Sequence, residues 1–263
     1  MLTTAPSHSG LLHGEARAFE RKGRDPCLLA FHGFTGSPSE IMPVLQAAAD
    51  AGFAVHAPLQ PGHGTNPADL QHKTFEDWIA AGRQHFIAAA REHERVVVMG
   101  FSMGSLVALK LASEGLPQLT GLVVLGNALF LSAPSALPLG LLTRLKGTPD
   151  LYLLKPRAAD MEDRTLLDTI VTYDRHPIRA AREVFRAGAV MRAELLHVRC
   201  PTLILHGKKD RVCPSANATY LADHLTNAAS VKVRVYPRSA HVIGCDFDRA
   251  EVSADVVSFL TNA

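Results

Sequence analysis

Residues 95–113, RVVVMGFSMGSLVALKLAS, join a short apolar run to an amphipathic helical pattern with no room for an ordinary loop between them. Three valines and a methionine have the character of a buried parallel strand, and helical spacing begins at once at Met103. The chain has to reverse within one tight turn. Its centre, Gly100-Phe101-Ser102-Met103-Gly104, fits the pattern G-x-S-x-G. A serine held on such a turn needs small residues two before and two after it, because helix and strand crowd there. Ser102 is therefore a candidate nucleophile. The plain alternative is a serine that caps a helix after a strand, so a base, an acid and an oxyanion hole must come from elsewhere in the chain.

Working outward, residues 15–20 read as an edge strand, and 27–31 (CLLAF), 53–57 (FAVHA) and 120–126 (TGLVVLG) as buried strands. Residues 201–206 (PTLILH) and 231–236 (VKVRVY) resume the sheet pattern. Between them lie helical stretches. One opens at Ser37 as N-cap, with Pro38 in its first turn and Glu40 three residues after the cap, and runs to about residue 51. Others cover 75–93, with Trp78 facing the core, 215–225 and 248–260. Strands alternating with helices predict an α/β protein with a mostly parallel sheet flanked on both faces. The alternation stops between 127 and 198. An apolar, proline-broken part over 129–145 leads into helical patterns over 159–172 and 178–196, with no strand pattern. This predicts a helical cap or lid, residues 128–197, inserted after the strand that ends near Gly126 into a core of 1–127 and 198–263.

The 263 residues suffice for one large domain with a sizeable core. A hydrophobic content of 47% and a charged content of 20% are ordinary for a soluble protein, and a net charge of +2 without basic blocks predicts no nucleic-acid partner. The run 115–143 is uncharged, but Pro117, Pro134 and Pro138 break it, which argues against a transmembrane segment. The N-terminus lacks the charged start and apolar core of a secretory signal, so a cytoplasmic location is expected. Four cysteines show no zinc spacing, and no metal is expected.

Thirteen histidines compete for the role of base, and position selects among them. Catalytic groups of open parallel sheets gather beyond the carboxyl ends of the strands. His241 follows the last strand and Asp210 the one before it. In that constellation His241 would take the Ser102 proton and Asp210 would fix its tautomer. The loop His32-Gly33-Phe34-Thr35-Gly36 follows an earlier strand, so the backbone N–H groups of Phe34 and Met103 are the candidate oxyanion donors. Candidate substrate contacts are His63, between two glycines of a loop, Leu129 and Phe130 at the start of the insertion, and Val212 and Val242 beside the acid and the histidine. Cys213 and Cys245 follow Asp210 and His241 on loops that must meet, and are expected to lie close together.

Taken together, HGFTG at 32–36, HAPLQPGHG at 56–64, GFSMG at 100–104, HGKKDRVCP at 206–214 and SAHVI at 239–243 resemble the α/β-hydrolase superfamily. Within it the chain is most similar to bacterial monoacylglycerol lipases and small carboxylesterases of thermophilic bacilli. The resemblance implies a serine hydrolase that cleaves carboxylic esters, short- to medium-chain or monoacylglycerol, through an acyl-Ser102 intermediate. It also implies an acyl-binding tunnel under the cap and no cofactor. Other chemistries of the fold stay open: thioester cleavage, C–C hydrolysis, cofactor-free peroxidation, or ligand binding without catalysis. Epoxide and haloalkane opening call for a carboxylate at position 102, and proline iminopeptidase activity for a HGGPG-like loop that the chain lacks.

Overall fold

Val96 and Val98 of the central strand face one layer of helices, while Val97 and Met99 face the other. All four are fully buried, which is why this strand carries an unbroken apolar run. The computed structural model describes residues 2–3, 11–12, 14–132, 150–155 and 159–263. Its main sheet has seven strands: β1 (Phe19–Arg21), β2 (Arg24–Phe31), β3 (Phe53–Ala57), β4 (Val96–Phe101), β5 (Leu119–Leu125), β6 (Thr202–Gly207) and β7 (Val231–Tyr236). They lie in the order β7-β6-β5-β4-β2-β3-β1, parallel throughout except for β1, which pairs antiparallel with β3. On one face pack α1 (Met42–Asp50) and, from the far end of the chain, the helix Arg249–Thr261. The other face carries α2 (Phe75–Glu92), α3 (Met103–Ser113), α4 (Ile178–Glu194) and α5 (Ala216–His224). No helix among the described residues is long and apolar enough to cross a membrane.

The turn between β4 and α3 is as tight as its sequence requires. A Cβ on Gly100 would sit 2.2 Å from the Gly104 carbonyl oxygen, and one on Gly104 would sit 2.2 Å from that of Phe31. Neither obstacle is a movable side chain. Ser102 between them has φ 52°, in the region that L residues avoid.

The segment between β5 and β6 departs from its expected form. Residues 159–172 form turns and a short 3₁₀ stretch, Leu167–Thr169, instead of a helix. Strands are present as well: Tyr152–Leu154 pairs antiparallel with Arg175–Pro177, and Thr172–Tyr173 with Leu11–Leu12. The cause is competition for backbone groups. The N–H groups of Glu162 and Asp163 go to the Asp246 carboxylate, that of Val171 to Ser39 Oγ, and that of Tyr173 to the Thr35 carbonyl, so tertiary partners override helical spacing. The helix expected over 178–196 does form, as α4. Its Ala180, Val184, Ala187 and Met191 join the core beneath α3, so it is a part of the main helix layer. From residue 133 to 149 the expected apolar part lies outside the described residues.

Two local features also differ from expectation. The Ser37 start yields a 3₁₀ turn, Pro38–Ile41, ahead of α1, and the Glu40 carboxylate turns away from the cap to the Gly33 N–H, 3.0 Å away. Cys213 and Cys245 are not neighbours: Cys213 packs in the core on the α3 face and Cys245 in the core on the α1 face. Both loops meet at the strand ends, but the two thiols turn to opposite sides of the sheet.

Gly104→Ala is expected to cost about 3 kcal/mol, since its methyl meets backbone, and to lower Tm by about 6 °C or more. Scanning calorimetry showing an unchanged Tm would refute so close a crossing. The cysteines give a second expectation. Burial pushes the Cys245 thiol up to about 12 and Cys213 well above its ordinary value. In native protein a maleimide should leave both unmodified for hours and label them on denaturation; rapid native labelling at either would contradict this packing.

Candidate active site

Three side chains from three strand ends converge. His241 Nε2 lies 2.9 Å from Ser102 Oγ, and His241 Nδ1 lies 2.7 Å from Asp210 Oδ2. The carboxylate only accepts, so Nδ1 carries the ring proton and Nε2 presents its lone pair to the serine hydroxyl. Gly126, at φ 50°, lets the chain turn closely beneath the imidazole, and the Phe101 ring packs 5.0 Å from it. Ser102 itself is 9% exposed. Sequence position had singled out all three residues.

Asp210 is held at four points. Oδ1 accepts the Val212 and Cys213 N–H groups at 2.9 and 2.7 Å, and Oδ2 accepts from His206 Nε2 at 3.0 Å as well as from His241. Burial would favour its neutral form, but His241 and His206 outweigh that and hold the carboxyl well below the usual carboxylate range. His206 was not foreseen. It stands at the end of β6, four residues before the acid, and that position was the available signal. Its Nε2 also faces the Cys213 carbonyl oxygen at 3.0 Å, and Nδ1 has no partner among the described residues.

The loop 32–36 is fixed from several directions. His32 Nδ1 donates to the Gly33 carbonyl, its Nε2 accepts the Gln60 N–H, and Gln60 Nε2 donates to the His32 carbonyl. Thr35 adopts φ 65°, and its N–H goes to His63 Nε2 at 3.1 Å. His63 Nδ1 donates to the Pro61 carbonyl. His63 is thus 3% exposed with both ring nitrogens engaged by backbone, so it supports the loop and is not available to a substrate. Burial drives its pKa well below the ordinary histidine value and that of His32 down to about 4, so both rings are neutral at physiological pH. The Phe34 ring stacks on His176 at 5.9 Å and meets Trp78 and His63 edge-on. Among the described residues no acceptor takes the backbone N–H of Phe34 or of Met103.

The remaining candidates are scattered. Leu129 and Phe130 border a hollow with Ala128, Leu131, Phe185 and Arg192, which neither Ser102 nor His241 lines. Phe130 carries the Arg192 guanidinium over its face and the edge of Tyr220. Val242 is buried in the α1-side core, and Val212 is half-buried against the other. The inserted segment ties the Asp210 and His241 loops together. Asp160 accepts from the Arg211 backbone and side chain and from the Val242 N–H. Fully buried Asp246 takes the N–H groups of Ala240, Glu162 and Asp163 at 2.7 to 2.9 Å.

Residues 23–248 match the family described as serine aminopeptidase, S33. A thermostable monoacylglycerol lipase from Bacillus sp. (strain H-257) is 30% identical over 225 residues, covering 84% of this chain and 85% of that protein. A carboxylesterase from Bacillus subtilis (strain 168) is 23% identical over 93% of this chain and 96% of its own length. Among solved structures, one from a study of LipS and LipT, two metagenome-derived lipolytic enzymes, superposes with a TM-score of 0.87 at 24% identity, covering 96% of this chain and 100% of that one. The monoacylglycerol lipase of Paleococcus ferrophilus reaches a TM-score of 0.78 at 18% identity over 95% of this chain and 99% of its own.

The electrostatics set a pH dependence. Burial disfavours the charged His241 ring, but the Asp210 carboxylate more than offsets this, and the net shift raises its pKa above the ordinary 6.5. Only the neutral ring can accept the Ser102 proton, so reactivity is present above this raised pKa and lost as pH falls through it. The rate of Ser102 labelling by a fluorophosphonate should therefore drop with a midpoint above pH 6.5. A midpoint below 6.5 would mean that Asp210 does not govern the ring.

Proposed function

We propose that this chain, which belongs to the serine aminopeptidase S33 family of α/β-hydrolases, is a serine hydrolase of carboxylic esters with apolar acyl groups, monoacylglycerols among them. The observation that carries the reading is the pair of hydrogen bonds from Ser102 through His241 to Asp210. The lipase and carboxylesterase relatives support the ester as substrate. Ser102 Oγ attacks the carbonyl carbon while His241 Nε2 takes its proton. Negative charge then develops on the carbonyl oxygen, where the Phe34 and Met103 N–H groups receive it; a donor of this kind contributes about 3 kcal/mol to a transition state. Asp210 stabilises the imidazolium. The alcohol leaves with the His241 proton, and a water deprotonated by the same ring releases the acid from Ser102.

The inserted segment serves in this reading as a cap over the acyl group. Its His176 already backs the ring of Phe34. Four unpaired cysteines suit a reducing cytoplasmic setting, which we include in the proposal.

A fluorophosphonate should label Ser102 stoichiometrically in the folded protein and leave Ser102→Ala unlabelled. Turnover of nitrophenyl esters should fall by about ten-thousand-fold or more in that variant with Tm nearly unchanged. Retained turnover would identify another nucleophile. Esters of graded acyl length, run beside monoacylglycerol and thioester substrates, should be cleaved faster than the thioesters; the reverse preference would overturn the ester assignment.

A further inference from the structure

Two charged side chains that the chemistry above leaves unused approach the oxyanion loop from opposite elements. Glu40, 5% exposed, comes from the 3₁₀ turn Pro38–Ile41, and its Oε2 accepts the Gly33 N–H at 3.0 Å. The carboxylate lies so flat against the loop that a Cβ on Gly36 would fall 2.0 Å from Oε2. Lys155 arrives from the inserted segment, directly after the strand Tyr152–Leu154. Its Nζ donates to Thr172 Oγ1 at 2.8 Å and to Thr35 Oγ1 at 3.3 Å. Thr172 Oγ1 in turn donates to the Thr35 carbonyl at 3.0 Å, which also accepts the Tyr173 N–H at 2.8 Å. Thr35 is the loop residue at φ 65°, a conformation that costs about 1–3 kcal/mol and persists only where its surroundings impose it.

Phe34 lies between these two anchors. The residue before it is bound by an anion, and the residue after it by a cation. Burial raises the Glu40 pKa and lowers that of Lys155, and each charge offsets part of the other's shift. The Glu40 charge also reaches His241. Alone, a buried carboxylate here would oppose the negative charge that forms at the Phe34 N–H; the Lys155 ammonium offsets part of its field.

We propose that Glu40 and Lys155 form a charge-balanced bracket around the Phe34 oxyanion donor, with Lys155 the positioning residue through which the inserted segment completes the hole. The proposal rests on Ser102 being the nucleophile. It assigns the insertion a part in the rate of attack, beyond covering the acyl group, because the hole is finished only when Lys155, Thr172 and Tyr173 are seated on Thr35.

A double-mutant cycle tests it, using full-length protein, a nitrophenyl ester and the fluorophosphonate. Rates are normalised to the fraction of sites that the phosphonate titrates, so that a partly unfolded variant does not pass for a slow one. Lys155→Met should lower kcat and the labelling rate constant at least tenfold while KM stays within about threefold. The same substitution in a Glu40→Gln background should cost less than threefold, because no buried anion is left unbalanced. Lys155→Arg, which keeps the charge, should retain most of the rate. Equal losses in both backgrounds, an effect confined to KM, or an arginine variant as slow as the methionine one would each overturn the bracket. If the parent is labelled at Ser102 and the cycle is additive, the bracket alone fails. An unlabelled parent would overturn the serine reading and the bracket with it.

Discussion

Everything at the strand ends depends on a steric constraint: α3 lies so close to β4 at Gly100, and to the end of β2 at Gly104, that the turn between the two glycines is held in one tight conformation. Ser102 accepts a positive φ that costs an L residue about 1–2 kcal/mol, and the packed core on both sides of β4 supplies that energy. The return is a hydroxyl fixed in space. The other groups are on longer loops and are brought to it: His241 by the loop after β7, Asp210 by the loop after β6, Phe34 by the loop after β2.

Much of this was legible because each residue sits at a place the parallel sheet makes special. Ser102 and Asp210 each follow a strand with an apolar run and His241 follows an alternating strand, and the alternation of strand and helix fixes on which side of the sheet such loops emerge. What escaped were interactions that depend on which partner a polar group finds. Glu40 had the spacing of a capping residue, but the Gly33 N–H, brought near only by the fold, is its actual partner. His63 had the surroundings of a substrate contact, and backbone occupies both its nitrogens. Cys213 and Cys245 were expected to meet because their loops do. Side-chain direction within a loop has no periodicity from which to read it.

The inserted segment shows the same limit at a larger scale. Helical spacing over 159–172 was real in the sequence, yet the N–H groups of Glu162, Asp163 and Val171 go to Asp246 and Ser39, outside the segment, and those that stay inside it close only short turns. Those partners make it an extension of the loop that carries His241 and of the turn before α1. The expected helix over 178–196 formed because its apolar stripe finds α3, a neighbour that itself is anchored at Ser102.

Asp246 gives this arrangement a mechanical consequence. One buried carboxylate receives the N–H groups of Glu162 and Asp163 from the insertion and that of Ala240, which immediately precedes His241. The stretch 160–163 and the histidine loop therefore make one cooperative unit. The insertion and the residue that precedes His241 thus share one buried anion, and a neutral side chain at position 246 would loosen both attachments at once.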